Sequence, residues 1–152
     1  MPKTVPCLWF DGQAQEAAKH YVSIFPDSAV TGLTRSGPDD AVLTASFQLD
    51  GREYLALNGG PGRTFTEAVS FQVMCTDQGE VDHYWTRLSE GGEPGQCGWL
   101  TDRFGVSWQV VPTELMAVLG DPEPGRAQRA LQAMLGMGKL DVAAMRAAAD
   151  AG

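Results

Sequence analysis

The side chains able to do chemistry are few and scattered. Two imidazoles (His20, His83), three thiols (Cys7, Cys75, Cys97) and the stretch DRFGVSWQVVP at 102–112 stand out. That stretch reads as a turn followed by a strand ending on Pro112. It carries an uncharged amide, Gln109, where a cavity-facing carboxylate would do acid–base or metal chemistry. Cys7 would be a nucleophile only beside a His or Lys that lowers its pKa, and none is placed to do so. A Ser-His-Asp arrangement lacks its base, because both histidines lie beside the apolar stripes of their helices, on faces that should meet solvent. Glu67 precedes a strand and Asp102 sits in a turn; a solvated and a turn-capping role are expected of them. The glycine-rich run 58–63, NGGPGR, follows a strand but opens no helix, unlike the loops that hold nucleotide-type cofactors. It is expected to link two halves, with a lid that presents Arg63 to an anion as the sharper alternative.

Composition narrows the field. At 152 residues and 43% hydrophobic, the chain can bury a core as one domain or as two similar halves. Eleven basic against nineteen acidic residues give a net charge of −8, with no basic stripe, so nucleic acid is not an expected partner. The three cysteines are widely spaced, form no CxxC pair, and are expected as small buried hydrophobes in a reducing compartment. No run is long enough to cross a bilayer, and the N-terminal MPKTVPCLWF lacks the pattern of a secretory leader. The expectation is a cytoplasmic protein with no membrane partner.

The elements that must position these groups can be read from periodicity. TVPCLWF (4–10) is a short buried strand. Ala14, Ala17, Ala18, Tyr21 and Phe25 recur at helical spacing, so a helix is predicted over 13–25, stopped by Pro26. Strands follow near 29–35, 41–49 and 53–58, with Asp50-Gly51 as a hairpin turn. AVSFQVMC (68–75) restarts the series. A helix over 77–92 presents Val81, Tyr84, Trp85 and Leu88, and Gly91-Gly92 ends it. QCGWLTD (96–102) and VSWQVVP (106–112) form a hairpin. The dipeptide His-Tyr recurs 63 residues apart, from 20 to 83, within matching element order, which points to an internal duplication. Helices near 113–119, 124–135 and 139–150 complete the chain as a packing or subunit-contact tail.

Strand-helix-strands, twice, resembles the vicinal oxygen chelate superfamily, which includes glyoxalase I, extradiol dioxygenases and bleomycin-resistance proteins. The segments LWFDGQAQEAAKHYVSIFPDS, LALNGGPGRTFTEAVSFQVMCTDQGEVDHYWTRLSEGG, CGWLTDRFGVSWQVVP and GKLDVAAMRAAA are similar to its PhnB-like group, often labelled 3-demethylubiquinone-9 3-methyltransferase. The resemblance implies an α+β fold: two βαβββ modules (4–61 and 66–112) forming a cupped mixed sheet around a cavity, then a C-terminal helical extension (113–152), together one domain. It also implies a two-fold homodimer, through exposed sheet edges and apolar tail helices.

Metal-dependent members place ligands on the first and last strand of each module, because a divalent ion wants several N/O donors converging at about 2 Å. The corresponding positions here hold Val5, Pro6 or Cys7; Ala56 or Asn58; Ser70, seven residues before Asp77; and Gln109, four residues after the Asp102-x-x-Gly105 turn. They offer no imidazole and no carboxylate, so neither a metal nor an organic cofactor is expected. A neutral Gln also suits a buried position that an ionised Glu could occupy only at a cost of several kcal/mol.

Alternation along the strands assigns Phe71, Val73 and Cys75 to the helix side. It assigns Ser70, Gln72, Met74, Ser107, Gln109 and Val111 to the cavity. The candidate ligand-binding residues are Trp9, Asn58, Ser70, Gln72 and Gln109; Trp99 and Trp108 are expected as core or interface aromatics. The expected function is binding of a small hydrophobic or aromatic molecule without metal. The alternatives are a metal-dependent lyase, isomerase or dioxygenase with an unusual ligand set, or a methyltransferase as the group's label says; whether the chain is an enzyme stays open.

Overall fold

A computed structural model of the chain describes residues 2–152. Its contacts divide it into two compact units, which meet in sequence between Thr64 and Phe65. The first unit holds β1 (Cys7–Phe10), α1 (Ala14–Val22), β2 (Ala29–Ser36), β3 (Ala41–Leu49) and β4 (Arg52–Asn58). The second holds β5 (Ser70–Cys75), α2 (Gln78–Ser89), β6 (Glu93–Pro94), β7 (Trp99–Thr101) and β8 (Ser107–Pro112), followed by α3 (Glu114–Leu119), α4 (Pro124–Leu135) and α5 (Val142–Asp150).

The first sheet runs β1-β4-β3-β2 and the second β5-β8-β7-β6, each with one parallel pair (β1/β4, β5/β8) and antiparallel neighbours otherwise. The same βαβββ connectivity therefore appears twice, in an α+β, glyoxalase-like fold with added C-terminal helices.

Each helix covers one face of its own sheet. Ala14, Ala17, Ala18 and Tyr21 of α1 are buried, and the Tyr21 ring stacks on Phe47 of β3 at 6.1 Å. Regular helix stops at Val22, short of the predicted Phe25, because Ser23–Phe25 close as turns ahead of Pro26 and a residue before proline is steered away from helical geometry. In α2, Asp77 caps the N-terminus by accepting from Glu80 N at 2.9 Å, and Val81, Tyr84 and Leu88 are buried. The β3–β4 turn has φ of 50° at Asp50 and 80° at Gly51, the pair of positive values that a two-residue hairpin requires.

The tail docks on the second module. Leu140 and Met145 are fully buried in a cluster with Val111 and Leu115. The strap before α5 lies along the loop ahead of β7: Cys97 N donates to Met137 O and Gly98 N to Gly138 O, both at 2.8 Å. The Gln78 side chain joins α2 to α5, donating to Leu140 O and accepting from Val142 N, both at 2.9 Å. Arg129 of α4 donates to Ala148 O and Ala149 O in the last turn of α5, where Ala148 O also accepts from Ala151 N.

Candidate functional site

Period-two alternation along β5 and β8 separates two chemistries. In register, Ser70 lies beside Ser107, Gln72 beside Gln109 and Met74 beside Val111 on one face; Phe71 beside Trp108 and Val73 beside Val110 take the face toward α2. On the first face Gln109 Nε2 donates to Ser70 Oγ at 2.8 Å, and Gln72 Nε2 donates to Gln109 Oε1 at 3.4 Å. Three of the residues expected to line a cavity are thus joined by an uncharged hydrogen-bonded chain. Gln72 and Met74 are exposed, and Ser70 and Gln109 half-buried. Val111, expected beside them, is instead covered by the tail cluster.

The turn that presents β8 is organised by Asp102, which is 3% exposed. Its carboxylate accepts from Phe104 N (2.8 Å), Val106 N (3.0 Å) and Trp108 Nε1 (2.8 Å). This is the expected turn-capping role, extended to a core indole. Trp108 is a core aromatic, with its ring 5.4 Å from Phe71.

Trp99 is not a core residue. It is the register partner of Gln109 across β7 and β8, so it shares the polar face. Its half-buried indole lines a groove of about 510 Å³ with Glu67, Cys97, Thr101 and Ser107. The signal that could have placed it was the odd-numbered alternation of Trp99, Thr101, Ser107 and Gln109 across one hairpin.

The first module separates its two candidates. Trp9 pairs with Leu57, whereas Asn58 pairs with Phe10, a core residue packed toward α1, so Trp9 and Asn58 lie on opposite faces of their sheet. The Asn58 amide is engaged structurally: Oδ1 accepts from Ala14 N at the start of α1 (2.9 Å), and Nδ2 donates to Val42 O (3.0 Å). Asn58 and Trp9 do not share a face of the sheet; Asn58 lines a separate groove with Asp11, Gln15 and Leu43. Trp9 Nε1 donates to Gly60 O at 2.9 Å, and the Arg63 guanidinium lies 5.4 Å from the centre of the indole. Gly59 is required here, because a Cβ would stand 2.2 Å from the Trp9 ring.

The remaining reactive groups are dispersed. His83 is exposed as expected; His20 is half-buried, with its ring 5.8 Å from Tyr21, so the expectation that it faces solvent is corrected. Cys7 is exposed and Cys97 half-buried, which corrects the expectation of three buried thiols. Cys75 alone is buried; burial, then the nearby Glu80 and Asp77 carboxylates, push its thiol up to about 12. Among the described residues no three His, Cys, Asp or Glu side chains gather as a metal site would require.

The fold family's metal does not fit this donor set. Ser70 and Gln109 bond to each other and bring no charge, and Asn58 is spent on α1. S-adenosylmethionine does not fit the glycine-rich loop either, since that loop leads from β4 to β5 with no helix N-terminus to receive a ligand. Among the described residues no helix is long and apolar enough to cross a membrane.

Comparison with known proteins agrees with this architecture. The sequence model of the family described as 3-demethylubiquinone-9 3-methyltransferase matches residues 2–111. A solved PhnB protein of Bacillus cereus bearing the same description is 29% identical, with a TM-score of 0.69 over 74% of this chain and 100% of its own. Protein PA1353 of Pseudomonas aeruginosa is 21% identical, with a TM-score of 0.63 over 74% of this chain and 98% of its own. The fosfomycin resistance protein FosX of Listeria monocytogenes, solved with Mn(II) and sulfate, shares the fold at 16% identity and a TM-score of 0.51, over 72% of this chain and 92% of its own. No functionally curated protein matches. The duplicated βαβββ topology and the family match over residues 2–111 agree: the chain belongs to the PhnB-like 3-demethylubiquinone-9 3-methyltransferase family, within the glyoxalase-like vicinal oxygen chelate fold.

Proposed function

We propose that the second module binds a small, partly apolar molecule without a metal ion, on the sheet face that carries Ser70, Gln72 and Gln109. The observation that carries this reading is the neutral chain Gln72–Gln109–Ser70, with the Trp99 indole alongside. Amide and hydroxyl groups orient a ligand by hydrogen bonds, while Met74 and Trp99 supply apolar contact, the usual division of labour in a small-molecule site. Trp9 is kept as a proposed contact on the first module. The label of the family names a methyl transfer, and the FosX relative was solved with manganese; the donors here support neither chemistry in this chain.

The test is metal analysis of the purified protein together with Gln109→Glu. Wild-type protein should hold no stoichiometric divalent metal after dialysis. The variant should lose about 1 kcal/mol at neutral pH, because a carboxylate replaces a neutral amide at a half-buried position. That loss should shrink as the new carboxyl protonates on acidification, and no metal should be gained. Stoichiometric Fe, Ni, Mn or Zn surviving dialysis of the wild type would overturn the reading in favour of a metal enzyme.

We also propose a cytoplasmic two-fold homodimer. The support is β2, an eight-residue edge strand that is exposed at all but one position. Light scattering that gives a monomer at micromolar concentration would refute the dimer.

A further inference from the structure

We infer that the groove beside Gln109 takes an organic cation: an ammonium group carried on a flat or branched apolar body. This rests on the reading that the second module's sheet face binds a small molecule, and it names the class of that molecule. Two groups carry the inference. Trp99 presents a half-buried indole to the groove, and among the described residues neither a hydrogen bond nor a ring contact engages it. Of the other three indoles, Trp9 Nε1 bonds to Gly60 O and Trp108 Nε1 to Asp102, and Trp85 sits half-buried on α2 outside this groove.

Glu67 lines the same groove, is exposed, and joins no ion pair among the described residues. Among the described residues it is the one charged side chain lining the groove; Gln96, Thr101 and Ser107 are neutral, and the Cys97 thiol donates to Met134 O at 3.5 Å. An aromatic face and a carboxylate in one groove suit a cation that an anion or a neutral hydrocarbon cannot match, since the ring quadrupole attracts positive charge. A net charge of −8 favours encounter with cations and repels anions.

Benzyltrimethylammonium and its uncharged carbon isostere neopentylbenzene form a matched pair of probes. Binding is read from the Trp99 indole resonance in a proton–nitrogen NMR titration, assigned with Trp99→Phe. The cation should shift that resonance and bind about tenfold tighter than the isostere, weakening in high salt. Glu67→Gln should remove about tenfold from the cation and leave the isostere unchanged. Glu67→Gln alters an exposed residue ahead of β5, and an unchanged melting curve will verify the fold. Equal affinity for both probes overturns the cationic class while leaving the groove as a ligand site, and a cation advantage untouched by Glu67→Gln and high salt overturns the part assigned to Glu67. If neither probe at millimolar concentration moves Trp99, both the class and the binding reading of this face fail.

Discussion

Replacing Asp102 by Asn tests the turn that presents β8, and with it Gln109. The carboxylate is 3% exposed and accepts from two backbone amides and the Trp108 indole. An Asn can keep the two backbone bonds through Oδ1, at 2.8 and 3.0 Å, but its Nδ2 then faces Trp108 Nε1, donor against donor. Leaving a buried donor without its acceptor costs about 1–3 kcal/mol. Exchanging a carboxylate for a neutral acceptor on the two amides adds a smaller loss, since bonds to charged groups are the stronger kind. The sum is about 2–4 kcal/mol, or roughly 5–15 °C in melting temperature for a chain of this size. Asp102→Ala deprives all three donors and should cost more than Asn. Urea denaturation measures both, and the near-ultraviolet circular dichroism of Trp108 reports the local change. A loss below about 0.5 kcal/mol for Asn, or an Ala variant more stable than the Asn variant, would refute the account of the turn.

Gly59→Ala should place a methyl group 2.2 Å from the Trp9 ring and so displace the indole from Gly60 O. The expected cost is about 1–3 kcal/mol, with a changed Trp9 indole resonance; an unaltered resonance and melting curve would contradict the close approach. The thiols should separate under Ellman's reagent: exposed Cys7 reacts promptly, Cys97 slowly, and buried Cys75 only on unfolding. The native Cys75 thiol is raised from its ordinary 9.0 to about 12, so between those values the folded chain binds the extra proton and stability falls as pH rises. Cys75→Ala should flatten that alkaline slope; a slope unchanged by the substitution would exclude Cys75 as its source.

Much of the architecture was legible because it rests on local rules. Asp50-Gly51 announces a hairpin through the positive φ both positions must adopt, and the Ala14–Tyr21 and Val81–Leu88 stripes announce helices that must bury one side. The alternation of Ser70, Gln72 and Met74 against Phe71, Val73 and Cys75 was also readable, since a six-residue strand shows period two clearly. Asn58 was not readable. A strand-end residue looks equally suited to either face until β1 and β4 are aligned, and their parallel register puts it with Phe10 over α1. Trp99 belongs to a three-residue strand, too short by itself to show a period, so its side follows only when the alternation is carried across the hairpin into β8.

What the chain determines by itself is therefore the order of its elements, the doubled βαβββ pattern and the absence of charge at Ser70 and Gln109, all properties of neighbours in sequence. Only tertiary structure decided which polar groups meet. Gln72, Gln109 and Ser70 come from strands separated by a helix and two further strands, and they bond because parallel β5/β8 pairing brings them side by side. The same holds for Val111, which the tail cluster covers, and for Glu67 and Trp99, which line one groove. Local periodicity fixes the face a side chain takes within its own strand; register between distant strands fixes its companions.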